Sequence, residues 1–335
     1  MELTIEKILE KINILLEKAK FETFFLGNFA TKKNKFCFDL LVKKDDTIFS
    51  VKIFNNIDNL NPDIIHDIKS LSLILKSKPI LIGIKNRYQK LENNTIYIRE
   101  DLPFITLNTF ENLINKKYPY ILARRGRGVV FLNGSLMKIL REKHSLTRKE
   151  LSEQLGVTIR TVSAYENESM RPSEKIAEKL LEILEDSDVF KKINVIQWPI
   201  KEHFEKNVNF EEKELSDFEA HVQNIINDIG ISSYWYKKGS MPFKLSIYSN
   251  FNSLNLKDFY PLFSGISEKQ NKFNEYSFKC LRMFTKLFQK RSLLIVNNNI
   301  QVPEIFRREK IPIVKIKNLE RVDDEEEFIE LIQES

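Results

Sequence analysis

The sequence predicts a mixed α/β protein in which two α/β segments flank a central, wholly helical one. Three observations predict it. Strand and helix periodicities alternate over the first 118 residues, the same order returns from about residue 215, and residues 135–185 between them carry short amphipathic helices with no strand pattern.

The first segment opens with an amphipathic helix over about 3–19, where charges are interleaved with Ile and Leu at helical spacing. CFDLLVKKDDTIFSVKIF, residues 37–54, then predicts two strands around a turn at Asp45 and Asp46. Pro62 opens a helix in PDIIHDIKSLSLILKS, and the apolar run PILIGIK is a buried strand. A short strand NNTIYI, an extended LPFITL and a closing helix TFENLINK follow. The last segment repeats this order: helix LSDFEAHVQNIINDIG, strands SSYWYKK and FKLSIYS, helix YSFKCLRMFTKLFQK, strand SLLIVNN, extended IPIVKI and helix EEEFIELIQ. Matching pairs such as KPILIGIKN with RSLLIVNNN, and FENLI with FIELI, suggest a duplicated domain. The expected boundaries are an α/β domain at 1–121, a basic linker at 122–134, the helical domain at 135–187, a linker at 188–214 and a second α/β domain at 215–335.

Composition narrows the function. No apolar run reaches the roughly 18–20 residues that a membrane helix needs, and the amino terminus lacks a signal pattern, so a cytoplasmic protein with no membrane partner is expected. Cys37 and Cys280 have no partner spacing and lie in apolar runs, which predicts buried thiols. Net charge is +6, but residues 116–172 hold 12 Lys and Arg against 5 Glu and no Asp, a local +7. The positive charge is concentrated in the middle of the chain, as a polyanion partner requires.

The helical segment has legible ends. Thr147 with Glu150 three residues on predicts a capping box, Gly156 a helix stop, Thr158 the next cap, and Ser173 after Pro172 a further one. With the tight Leu155-Gly156-Val157 turn, and with Leu146, Leu151, Ser152, Val162, Ser163, Tyr165, Glu166 and Asn167, the segment resembles the helix-turn-helix of Cro and the phage repressors. That resemblance implies double-stranded DNA as partner, with the helix at 158–167 in the major groove. Ile159, Arg160 and Ser163 face away from the apolar side, at its amino end, and are the expected base readers. Arg160 suits guanine O6 and N7, Ile159 a thymine methyl. The resemblance assigns Arg148 to backbone phosphate, with Thr147, Thr158 and Thr161 as neighbouring hydroxyls and Arg171 as a further phosphate contact. It makes Arg141 and Glu166 an internal ion pair. Arg124, Arg125 and Arg127 of ARRGRG are expected to form a glycine-hinged basic arm suited to a minor groove.

The opening hairpin raises a second possibility. A strand ending in Asp39 and one bearing Ser50-Val51-Lys52 resemble the PD-(D/E)xK nuclease and Holliday-junction resolvase core, in which two carboxylates hold a divalent cation and a lysine assists attack. Asp39 and Lys52 match that pattern. Ser50 stands where the second carboxylate belongs, Glu22 is only a weak substitute, and SSYWYKKGSMPFKLSIYS of the last segment lacks both carboxylates. Two nuclease-like folds without chemistry are therefore expected. No phosphate-binding glycine loop is present and the four histidines have no ligand spacing, so no cofactor and no metal site are expected.

An α/β half, ARRG, a Cro-type helix-turn-helix and another α/β half together resemble the archaeal helix-turn-helix transcriptional regulatory protein family. The resemblance implies a sequence-specific regulator acting as a homodimer, with no catalytic residues. A Mg²⁺-dependent nuclease using Asp39 and Lys52, and an antitoxin-like module that binds DNA to autoregulate, are the alternatives.

Overall fold

The computed structural model describes residues 4–25, 36–45, 47–124, 127–200, 215–236, 241, 243–249, 259–269, 275–302, 304 and 311–335. These form two compact units, and neither is a continuous stretch of chain: the first is 1–21, 51–60 and 80–200, the second 22–50, 61–79 and 201–335.

In the first unit, helix α1 (Ile5–Lys18) starts at Thr4, whose hydroxyl caps it, and buries Ile8, Leu9, Ile12 and Leu16 along one face. After the end of strand β3 (Thr47–Asn56) come β4 (Lys78–Lys85), β5 (Thr95–Arg99), β6 (Leu102–Ile105) and α3 (Leu107–Ile114), which packs on α1. Helix α3 begins two residues ahead of the sequence expectation, because the Thr106 hydroxyl accepts from Thr109 N and makes Thr106 the cap. Two further strands, β7 (Ile121–Arg124) and β8 (Arg127–Val130), then lead into the helices α4 (Gly134–Lys143), α5 (Arg148–Leu155), α6 (Ile159–Glu166) and α7 (Glu174–Leu184). The strand order is β3-β4-β6-β5-β7-β8, with β4 parallel to β6, β5 antiparallel to β6 and parallel to β7, and β7 antiparallel to β8.

The second unit contains β1 (Glu22–Phe25) antiparallel to β2 (Leu40–Lys44), the beginning of β3, and α2 (Pro62–Ile74) with Asn61 as cap and Pro62 in its first turn. Its carboxy-terminal part comprises α8 (Asp217–Asp228), β9 (Ser232–Trp235), β10 (Leu245–Tyr248), β11 (Leu262–Ser267), α9 (Glu275–Phe288), β12 (Ser292–Val296), β13 (Ile313–Lys315), α10 (Ile316–Leu319) and α11 (Glu325–Glu334). The strands run in the order β13-β12-β11-β10-β9, antiparallel through β9, β10 and β11 and parallel through β11, β12 and β13. Helices α8 and α11 cover an apolar cluster built on Val222, Ile226, Leu245, Ile247, Leu293, Ile295 and Phe328. Cys37 is a buried thiol 3.2 Å from Met241 Sδ. The Cys280 side chain lies outside the described residues.

Strands β1 and β11 were not expected from the sequence. Pro261 and Gly265 punctuate β11 and break its alternation. With both included, helix, three strands, helix, strand, strand and helix recur in chain order, apart from the added β5 and α10. In that order β11 is the counterpart of β3, and it reads Phe263-Ser264-Gly265-Ile266 where β3 reads Phe49-Ser50-Val51-Lys52.

A buried polar chain ties α2 to β9 within the second unit. The Tyr234 hydroxyl donates to Asp67 Oδ1 at 2.7 Å and lies 2.6 Å from His66 Nδ1, with Asp67 only 1% exposed. Burial, then the Asp67 carboxylate, push the Tyr234 hydroxyl far above its usual range, so it stays a donor. Replacing it by Phe deprives a buried carboxylate of that donor, and Tyr234→Phe is expected to cost about 1–3 kcal/mol in urea denaturation.

Burial, followed by the neighbouring Lys69, lowers His66 below the usual histidine value, with Asp63 opposing. The folded state therefore disfavours the imidazolium. The stability this contributes is complete above the unfolded value near 6.5 and is lost as the pH falls through the lower folded value. Denaturation followed from about pH 7.5 to about pH 5 should show that loss in the parent and a flatter profile in His66→Gln.

Candidate DNA-binding site

Local chemistry sets the helices of residues 134–184. The Thr147 hydroxyl accepts from Glu150 N while the Glu150 carboxylate accepts from Thr147 N, a complete capping box. Gly156 ends α5 at φ 71°, in the left-handed region where a side chain is strained. The Thr158 hydroxyl then accepts from Thr161 N at 3.1 Å, so α6 begins at Ile159 with Gly156, Val157 and Thr158 between it and the end of α5. Ser173 occupies the cap position of α7, but its side chain makes no capping hydrogen bond.

The core under these helices is made by Met137, Leu140, Leu151, Leu155, Val162, Tyr165, Ala177, Leu180 and Leu184, together with Ile121, Val130 and Leu132 of the preceding hairpin. That membership is structural news. Where the sequence suggested a flexible basic arm and linker, β7 and β8 pair with Ile121 opposite Val130 and Arg124 opposite Arg127. Val130 N donates to Pro172 O, and Asn133 N and Lys191 N bond to Val189 O and Phe131 O at 2.8 and 2.7 Å. Tyr120 and Phe190 stack at 4.8 Å. The apolar alternation of ILA and GVVFL outweighs the arginines and glycines at the turn, so the backbones of Arg124 and Arg127 lie in strands. Arg125 lies outside the described residues.

Glu166 is the electrostatic centre. Its carboxylate, 2% exposed, accepts from Arg141 Nε at 2.6 Å and from Arg148 Nε at 2.8 Å. Arg141 also donates to Leu146 O at 2.7 Å and to Glu142 at 3.3 Å. The expected Arg141–Glu166 pair is thus present, and Arg148 joins it. Arg148 is 43% exposed on its outer side, so its position at the start of α5 is fixed while part of its guanidinium faces solvent. Gly134 presses on the same corner: a Cβ there would come within 2.1 Å of the Glu166 carbonyl oxygen, and its N–H donates to Glu168.

The expected base readers are on the free side of α6. Ile159 is 49% exposed, Arg160 is exposed, and Ser163 is half-buried, whereas Val162, Tyr165 and Glu166 face inward. Arg160 has no hydrogen-bond or ion-pair partner among the described residues. The Thr158 and Thr161 hydroxyls lie 2.9 Å apart and serve the cap. Arg171 is exposed and stacks its guanidinium 4.2 Å from the Phe131 ring, a contact not foreseen from sequence.

The nuclease-like residues stand differently. Asp39 is half-buried and immediately precedes β2, so it begins that strand rather than ending one. Ser50 is 4% exposed inside β3, and a hydroxyl there cannot supply the second anionic ligand that a divalent cation would need. The equivalent strand is also not among those compared from sequence: it is β11, where Ser264 and Ile266 take the places of Ser50 and Lys52. Among the described residues, no group of three or more His, Cys, Asp or Glu is placed to hold a metal ion. Among the described residues, no helix is long and apolar enough to cross a membrane.

This arrangement of α4–α7 defines a helix-turn-helix protein. A helix-turn-helix family model matches residues 137–187, and the model of a PD-(D/E)XK superfamily domain matches residues 5–119. A Methanocaldococcus jannaschii protein called a "Putative HTH-type transcriptional regulatory protein" is 29% identical over 298 residues, covering 89% of this chain and 88% of its own. Proteins of the same name from Archaeoglobus fulgidus and Methanobrevibacter smithii are 31% and 36% identical, covering 68% and 59% of this chain and 70% and 62% of their own. The chain belongs to this family of archaeal HTH-type transcriptional regulatory proteins. No solved structure matches it.

Glu166→Gln should leave Arg141 buried beside a neutral group, costing about 3 kcal/mol or more, whereas Arg148→Ala, with its charge partly in water, should cost less than about 1 kcal/mol. Gly134→Ala should fall with Glu166→Gln, because the obstructing atom is backbone. Thermal denaturation of the three variants gives the order.

Proposed function

We propose that this protein regulates transcription by binding a specific double-stranded DNA sequence as a homodimer, with α6 in the major groove. The observation that carries the reading is the contrast along one short surface: Arg141 and Arg148 are held by Glu166, while Arg160 and Ile159 stand exposed at the start of α6. The first pair fixes the orientation of the helix and the second is left to read bases. Arg148, Thr158, Thr161 and Arg171 contact phosphate, and Ser163 adds a base-edge hydroxyl. Arg124, Arg125 and Arg127 add positive charge for the DNA ahead of the helices. Two copies are needed because successive major-groove half-sites lie about 34 Å apart and one α6 reads only one of them.

The nuclease-like domain acts without chemistry in this reading. Ser50 leaves the Asp39 position without its second carboxylate, and the corresponding place in β11 also has serine. The protein is cytoplasmic, and its α/β halves serve assembly and sensing.

Binding-site selection from random duplexes, followed by titration of the selected site, tests this. Arg160→Ala should lose about 1–3 kcal/mol of discrimination at one base pair in each half-site and retain non-specific binding. Asp39→Ala should bind as the parent does. Equal affinity of the parent for selected and unrelated duplexes would refute the reading.

A further inference from the structure

The run Lys85-Asn86-Arg87-Tyr88-Gln89-Lys90 has three cations, one aromatic ring and no acid, and it belongs to the same unit as the helix-turn-helix. It is a built turn. Asn86 N donates to Gln89 O, the Asn86 side-chain carbonyl accepts from Tyr88 N and Gln89 N at 2.8 and 2.7 Å, and Lys85 bridges to Lys90. Arg87 N donates to Asp58 Oδ2 at 2.8 Å, and Asp58 is itself fixed by Arg99 at 2.6 Å. On this rigid base Tyr88 is 86% exposed, far more than the other exposed large hydrophobic side chains, with Arg87 and Lys90 exposed beside it. An aromatic ring left in water gains little for folding, and the backbone that carries it is ordered before any partner arrives.

The turn's location indicates the partner. Tyr88 and Gln89 line a groove of about 930 Å³ together with Gly128 of the basic hairpin and Ser173 and Lys175 at the start of α7. Those last two follow directly on the α6–α7 loop that bears Arg171. Two carboxylates, Glu92 and Glu174, and two cations, Arg99 and Lys175, also line it, and burial, then Glu92 and Glu178, raise Glu174 above the usual carboxylate range. The exposed positive charge that attracts a polyanion is on the turn itself, on Arg87 and Lys90 beside Tyr88.

We propose that the turn Lys85–Lys90 is a second DNA-contacting element, gripping duplex backbone on the flank of the base pairs read by α6. Its contacts are to phosphate and sugar, from Arg87, Lys90 and the Tyr88 hydroxyl, and carry affinity without base preference. The α/β half thereby lengthens the DNA site beyond what the helix-turn-helix covers alone.

The inference rests on the proposed DNA binding, and the test separates the two. Full-length parent, Tyr88→Ala, the double variant Arg87→Ala/Lys90→Ala, and Arg160→Ala are compared on the selected duplex by salt titration and by chemical footprinting of the backbone. The double variant should bind about tenfold more weakly or worse, with the slope of log K against log salt reduced by about 1.8 and unchanged base preference. Tyr88→Ala should lose backbone protection on the same flank, while Arg160→Ala should lose base discrimination and keep that protection. Parent-like affinity, slope and footprint in both turn variants would overturn the inference and leave the proposed function standing. A parent that binds no DNA would overturn both. Unchanged melting of the turn variants confirms that they are folded.

Discussion

The grip of two arginines on one buried carboxylate is the interaction on which the DNA-binding surface depends. Glu166 closes α6 against α4 through Arg141 and against α5 through Arg148. A carboxylate 2% exposed would be costly alone; removing Glu166 leaves the buried Arg141 uncompensated, whereas losing Arg148 leaves Glu166 still paired with Arg141. The clamp ties three short helices, two of them eight residues long, at one corner beside the apolar core that they share. Gly134 lets α4 approach the same corner closely enough for the clamp to form.

The second constraint is continuity of the core. Ile121, Val130 and Leu132 belong to the apolar cluster of the four helices, and the chain leaving α7 returns to bond with Phe131 and with Asn133. The helix-turn-helix is consequently fused to the strand ladder β5-β7-β8. A regulatory signal that shifts this ladder would reorient α6, whereas a tethered reading head would not feel it.

Much of this was legible in the sequence, for identifiable reasons. Caps and stops are local chemistry, so Thr147 with Glu150, Gly156 and Thr158 marked helix ends that the structure repeats. The Arg141–Glu166 pair was legible through resemblance, but Arg148 as a second partner was not, since nothing in spacing distinguishes a solvated arginine from one turned inward. ARRGRG suggested a loose arm because its composition is that of a turn; the pairing that orders it comes from apolar residues on both sides, and from Ser173 and Phe190, distant in sequence. Strand β11 was obscured by Pro261 and Gly265, and missing it shifted the comparison of the two halves by one strand. Tyr88 appeared only as one aromatic among many, since exposure of a ring on a rigid turn is a property of the folded chain.

In the proposed function the molecule recognises DNA and does not cut it. The most direct measurement is a native gel of the purified full chain with fragments of its own genome, at near-physiological salt and with Mg²⁺ present, each fragment being recovered and sized afterwards. The expected result is a small set of fragments retarded at low protein concentration and recovered at full length. Retardation of all fragments alike, or recovery of nicked or shortened DNA whose cleavage is abolished in Asp39→Ala, would contradict it.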